Sequence, residues 1–291
     1  MKSILQHLRF PFSILLLPAF LFSYYFVDIP TPQPFTFGLL FFILHFFVYP
    51  ASNAYNSTQD RDEGSVGLIK NPLPIHNNLL MVTYVFDIIA ILLAVWINVQ
   101  TAILIAVYIL ASRLYSYRKI RLKQYPIIGF LTVFICQGAL LFFIVQSAFN
   151  PDLCLHANFS NTLLPAFITS LFIGSMYPLS QIYQHEQDKR DGVKTISAML
   201  GYRNTFLFSG VQFLLASILI SYLFLKDAHW YALVVYGIFQ MPIILFFLYW
   251  FYKVMLNTQE ANYTNTMRMN IISALCMNLC FICLLLFYKH V

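Results

Sequence analysis

The chain alternates between long apolar runs and short polar breaks, with runs at residues 11–28, 36–56, 78–98, 100–117, 126–148, 162–184, 205–225, 230–252 and 269–288. About twenty consecutive apolar residues cross a bilayer as a helix. Within lipid, only structures that satisfy their backbone groups internally are viable. The expected fold is therefore all-α, a polytopic membrane bundle of nine transmembrane helices. The break between the third and fourth runs, around Asn98, Gln100 and Thr101, is so short that these two helices must form a tight antiparallel hairpin. Composition removes the soluble alternative. Of 291 residues, 60% are hydrophobic and only 10% charged, against about 25% charged in ordinary soluble proteins. That is too little polar surface to cover a water-facing fold of this size. Residues 1–291 read as a single domain, without a low-complexity tract or second module. Lys2 and Arg9 lead into the first run with no small-residue cleavage site, so that helix is expected to be kept.

The net charge of +6 gains meaning once it is located. With the amino terminus in the cytoplasm, nine spans place 15 Lys and Arg residues on the cytoplasmic side and only Lys226 and Lys289 outside. The positive-inside rule fixes the orientation from such an asymmetry. The expectation is a multi-pass protein of the cell (inner) membrane, with cytoplasmic functional loops and its carboxyl terminus outside. The basic excess then reflects topology, and nucleic-acid binding loses its motivation.

Six of the 11 acidic residues fall in two short clusters on the same cytoplasmic side: Asp60, Asp62 and Glu63 after the second run, and Glu186, Asp188 and Asp191 after the sixth. On a helix, Asn53, Asn56, Ser57 and Asp60 form one polar stripe at the end of an apolar span. A solvated helix end followed by turns at Gly64 and Gly67 explains any one of these residues about as well as a site does. In the second segment Gln184 and Asp188 share a helix face, with His185 and Glu186 adjacent and Lys194 in the loop beyond. Oxygen ligands of this kind suit Mg²⁺, which takes one or two carboxylates, keeps waters and accepts phosphate oxygens from a substrate. Two such clusters can hold a diphosphate between them.

With nine spans and cytoplasmic acidic clusters after the second and sixth, the chain resembles the UbiA superfamily of intramembrane prenyltransferases. That family carries Asp-rich motifs, roughly N-x-x-x-D-x-x-x-D and D-x-x-x-D, at those two helix ends. The stretch Asp188-Lys-Arg-Asp-Gly192-Val-Lys194-Thr195, running on to Leu200-Gly201, is similar to the family's D-x-x-x-G-x-K-T and following L-G. Two positions depart from the pattern: Gly64 stands where the first motif has its last Asp, and Gln184 where the second has its first. Fewer carboxylates weaken cation binding unless Asp62, Glu63 or Glu186 supplies the charge.

The resemblance implies a UbiA-like bundle and Mg²⁺-dependent transfer of a polyprenyl group from its diphosphate to a lipophilic or aromatic acceptor within the membrane. It implies Asn53, Asn56, Asp60, Asp62, Gln184, Glu186 and Asp188 as metal ligands, with Asp60 and Asp188 central to catalysis, and Lys70 and Lys194 as fixed positive charge at the diphosphate. Between the fourth and fifth spans lie five cations in eleven residues, Arg113 to Lys123. Taken alone they are cytoplasmic anchors, drawn to anionic lipid at about 1 kcal/mol each. In the family the corresponding loop helps close the active site, which would bring Arg113, Lys119 and Arg121 to the diphosphate and set Tyr115 and Tyr117 against an allylic cation, whose charge an aromatic face attracts.

Asp87 lies inside the third span, where a carboxylate costs at least about 2.5–3.5 kcal/mol on insertion scales. With no basic partner evident in a span, a structural hydrogen bond or a protonated acid is favoured over a functional role. Cys276, Cys280 and Cys283 share a face of the last span and read as packing, and five cysteines largely within lipid give no disulfide framework. Two other classes stay open: a membrane transporter, and a non-catalytic lipid-binding member of the same fold. Transporters place their ionisable sites near the midplane, whereas polar residues here collect at one rim.

Overall fold

The computed structural model describes residues 1–28, 31–60, 64–151, 159–226 and 228–287. Among these, nine helices are long and apolar enough to cross a membrane: α1 (Lys2–Tyr25), α2 (Pro34–Asp60), α3 (Leu79–Ile97), α4 (Val99–Ser116), α5 (Pro126–Phe149), α6 (Asn161–Arg190), α7 (Ile196–Lys226), α8 (Trp230–Leu256) and α9 (Tyr263–Phe287). The protein is an all-helical, integral multi-pass membrane protein. Proline sets two starts, Pro34 and Pro126, where its fixed φ suits the first helical turn and its missing N–H is not needed. Several helices are longer than the apolar runs: α1 reaches back to Lys2, α2 on to Asp60 and α6 on to Arg190. Asp62 and Glu63 lie outside the described residues.

The chain divides into two compact units. The first comprises Met1–Ile14, Val27–Lys123 and Phe143–Ala157. Its α3 and α4 are joined through Asn98 alone, which is extended (φ −169). The Asn98 side chain caps α4 by accepting from the Thr101 N–H (2.7 Å) and donates to the Ser147 carbonyl (2.8 Å). Such a cap satisfies orphan donors that lipid would leave exposed. The N-terminal segment Lys2–Leu8 ends at Arg9, whose φ of 49 breaks the helix. It is tied to the 71–74 loop: the Leu73 N–H donates to Gln6 Oε1 (2.7 Å), Gln6 Nε2 to the Asn71 carbonyl (3.2 Å), and Ser3 Oγ to the Pro74 carbonyl (2.6 Å).

The second unit comprises Leu15–Phe26, Gln124–Phe142 and Asn158–Val291. Here α6 is the best buried span, with 67% of its apolar window inside the protein. Close approach to its neighbours depends on small residues. A Cβ on Gly138 of α5 would stand 2.3 Å from the Ser170 Cα of α6. At the same crossing α5 widens into a π-helical turn over Phe134–Leu140, and the Ala139 N–H donates to Ser170 Oγ (2.9 Å). About two turns further along α6, Pro178 cannot donate to the Gly174 carbonyl. Gln212 Nε2 of α7 donates to it instead (2.9 Å). On the other face of α6, Phe172 meets Phe22 edge-on at 5.5 Å, and Phe22 meets Phe281 of α9 at 5.4 Å.

Candidate functional site

In the first unit the carboxyl end of α2 carries the expected stripe, and α4 is registered against it by polar side chains. Arg113 donates through Nε (3.0 Å) and Nη2 to Asp87 Oδ2, with its guanidinium 4.3 Å over the Tyr55 ring. The sequence showed no basic partner for Asp87, and Arg113 is that partner. One turn on, Ser116 Oγ donates to Asn56 Oδ1 (2.8 Å). Past the end of α4 the chain reverses: the Ile120 and Arg121 N–H groups both donate to the Tyr117 carbonyl, and Arg121 adopts φ 45, a left-handed conformation uncommon for a residue with a side chain. The reversal turns the linker back onto α2. Arg118 donates to the Gln59 carbonyl and caps the negative end of that helix.

Asp60 is where these elements meet. Arg121 Nη2 donates to Asp60 Oδ1 (3.2 Å), and Lys123 Nζ donates to Asp60 Oδ2 and to Asn56 Oδ1 (3.3 Å). The three charged side chains are nearly enclosed, Asp60 being 6% exposed, Lys123 11% and Arg121 12%. Asn53, one turn deeper, is half-buried, and its Nδ2 has no hydrogen-bond partner. Tyr115 is half-buried and Tyr117 exposed. Lys119 and Lys70 are exposed; Lys70 follows a tight reversal in which Val66 and Ile69 exchange backbone hydrogen bonds around Gly67 (φ 53).

In the second unit α6 tightens into a 3₁₀ turn over Ile182–Gln184 and ends at Arg190. Gln184 and Asp188 are half-buried, whereas Glu186 and Lys194 are exposed. Gly192 (φ 67) lets the chain turn back, so that the Val193 N–H donates to the Asp188 carbonyl (2.8 Å). Behind this end lies a hydroxyl and imidazole cluster. His185 Nε2 and Ser197 Oγ are 2.8 Å apart, Ser197 Oγ and Thr205 Oγ1 are 3.2 Å apart, and the His185 ring stacks on Tyr202 at 4.8 Å. The cluster fastens the loop bearing Lys194 to α6.

The structure thus groups Asn56, Asp60 and Arg121 in one unit and places Gln184 and Asp188 on one stretch of helix in the other. Lys123 and Ser116 were missed by the sequence reading. The only signal for Lys123 was the density of cations facing an acidic helix end. Among the described residues no three His, Cys, Asp or Glu side chains are gathered closely enough to hold a metal ion. A cation bound here would therefore rely on one or two carboxylates, amide oxygens and phosphate oxygens from a substrate, a set that suits Mg²⁺. The oxygens of Asn56 and Asp60 that already share the Lys123 ammonium fit that requirement.

Comparison with solved structures shows the same fold. A UbiA homolog from Archaeoglobus fulgidus bound to GPP and Mg²⁺ superposes with a TM-score of 0.68 at 17% identity, covering 96% of this chain and 98% of that one. The same homolog bound to DMAPP and Mg²⁺ gives 0.67 at 18%, with the same coverage. A digeranylgeranylglyceryl phosphate synthase gives 0.59 at 19%, covering 97% of this chain and 98% of that one. No curated protein sequence matches this chain. The sequence does match the UbiA prenyltransferase family over residues 15–287, nearly its whole length. With nine candidate spans, an all-helical fold shared with solved UbiA homologs and a family match of that extent, the chain belongs to the UbiA prenyltransferase family.

Proposed function

We propose that this family enzyme, acting as one domain, transfers a polyprenyl group from its diphosphate to a lipophilic acceptor, with Mg²⁺ as cofactor. Asn53, Asn56 and Asp60 from the end of α2, with Gln184, Glu186 and Asp188 from the end of α6, would hold the ion; Asp62 completes the set read from the sequence. The observation that carries this reading is the convergence of two amide and carboxylate side chains, Asn56 and Asp60, on a cation already buried among them. The UbiA homolog bound to GPP and Mg²⁺ supports the choice of substrate and metal.

Mg²⁺ held there would supply positive charge to the departing diphosphate. The protein has its own part in that task, because the carboxyl ends of α2 and α6 carry the negative ends of helix dipoles and would repel an anion unassisted. Lys70, Lys119, Arg121 and Lys194 supply the compensating charge. Arg113 acts at one remove in this reading, holding α4 to α2 and α3 through Asp87. Tyr115 and Tyr117 present aromatic faces to the allylic cation. The apolar spans keep water from it, which prevents hydrolysis.

An aromatic acceptor is the reading to test first. A relative whose product is a glyceryl phosphate widens the screen to alcohols. Incubating the purified protein with a labelled polyprenyl diphosphate, Mg²⁺ and candidate acceptors should release pyrophosphate and yield a prenylated product. Asp60→Ala and Asp188→Ala should each abolish transfer while leaving a folded, inserted protein. Wild-type turnover in both variants would overturn the assignment, and absence of pyrophosphate release from the wild-type protein would favour a lipid-binding role without turnover.

A further inference from the structure

The Lys123 ammonium contacts the same oxygens that the proposed metal would need. Its two acceptors, Asn56 Oδ1 and Asp60 Oδ2, lie one helical turn apart on α2, and Arg121 engages the other Asp60 oxygen. Two cations therefore meet one carboxylate in a nearly enclosed setting, where charge is weakly screened. A lysine ammonium is a compact point charge on a flexible stem, able to change partners without moving the backbone. The turn carrying it is fixed by other bonds, from Arg118 to Gln59 and from the 120 and 121 amides to the Tyr117 carbonyl. A divalent ion and this ammonium compete for the Asn56 and Asp60 oxygens, because two like charges held that close together repel.

We propose that Lys123 is an internal competitor that makes metal binding conditional on the diphosphate: its ammonium holds the Asn56 and Asp60 oxygens and leaves them for an anionic headgroup. This rests on the reading above that Asn56 and Asp60 are metal ligands. The consequence is reciprocal coupling, since whatever draws Lys123 from α2 raises metal affinity, and metal on α2 frees Lys123 for the diphosphate. The arrangement disfavours binding of the metal alone.

The test is Mn²⁺ binding to the full-length protein in nanodiscs, followed by the loss of the free-ion EPR signal, with and without an unreactive prenyl thiolodiphosphate. Lys123→Gln and Lys123→Met should each tighten Mn²⁺ binding in the absence of the diphosphate by about tenfold and shrink the tightening that the diphosphate brings. Arg118→Gln, which removes an equal charge bonded to Gln59 and not to Asp60, should change Mn²⁺ affinity much less. Unchanged or weaker Mn²⁺ binding in both folded Lys123 variants would overturn the proposal, as would an equal shift in Arg118→Gln. If instead Asp60→Ala binds Mn²⁺ as the wild type does, the metal-site reading itself fails, whatever the Lys123 variants do.

Discussion

Asp87 and Arg113 show what a single ion pair does in a membrane-embedded fold. Their side chains are 11% and 13% exposed, and the guanidinium also covers the Tyr55 ring. Removing one partner from a buried pair strands the other, at a cost of about 3–5 kcal/mol, whereas replacing both with apolar groups of similar volume is often neutral. Asp87→Ala should therefore lower the melting temperature in detergent markedly, and the double variant Asp87→Leu with Arg113→Met should recover most of the loss. An Asp87→Ala protein that melts like the wild type would show that the pair holds nothing together. Helical spacing made Asn56 and Asp60 visible in the sequence, and the family resemblance alone drew attention to Arg121. The sequence could not pair Lys123 with Asp60, since that contact follows from the left-handed backbone of Arg121, and no period or motif announces a positive φ at an arginine. The Asp87 pairing was missed for a different reason: the tight hairpin around Asn98 was legible, but not the register of α3 against α4 that brings two residues 26 positions apart together.

Among the helices, hydropathy located the spans but not their ends, because the polar last turns of α2 and α6 add nothing to an apolar run while continuing the same hydrogen-bonded helix. It also read the seventh span from residue 205, whereas α7 begins at Ile196 and passes through a non-helical Gly201 (φ 76) before entering the long apolar stretch. The π-helical turns over Ile43–Val48 and Phe134–Leu140 left no trace in the residue pattern. Packing between helices gives a sharper prediction. At Gly138 an added methyl would collide with the backbone of Ser170, which cannot swing aside, while at Gly237 nothing lies within 4 Å. Gly138→Ala should cost about 1–3 kcal/mol through overpacking, or more if α5 and α6 separate. Gly237→Ala should be neutral or slightly stabilising through helix propensity. Thermal melts of the two variants check this, and equal stability would contradict the close approach of α5 and α6.

For the whole molecule, the distribution of charge predicts orientation. A cysteine placed at Arg118 or Lys189, in a background lacking native cysteines, should react with an impermeant maleimide from the cytoplasmic side, and one at Lys226 only from the opposite side; the reverse pattern would invert the proposed topology. The family match runs through segments of both compact units, and so does the acidic chemistry, with Asp60 in one and Asp188 in the other. In the proposed function these two carboxylates serve one magnesium-bound diphosphate, and a double-mutant cycle measures their coupling. Affinity for an unreactive prenyl diphosphate in the presence of Mg²⁺ would be determined for the wild type, Asp60→Asn, Asp188→Asn and the double variant. If either substitution removes the shared ion, the second should cost far less than it does alone. Costs that simply add would mean two independent carboxylates, and would contradict the account.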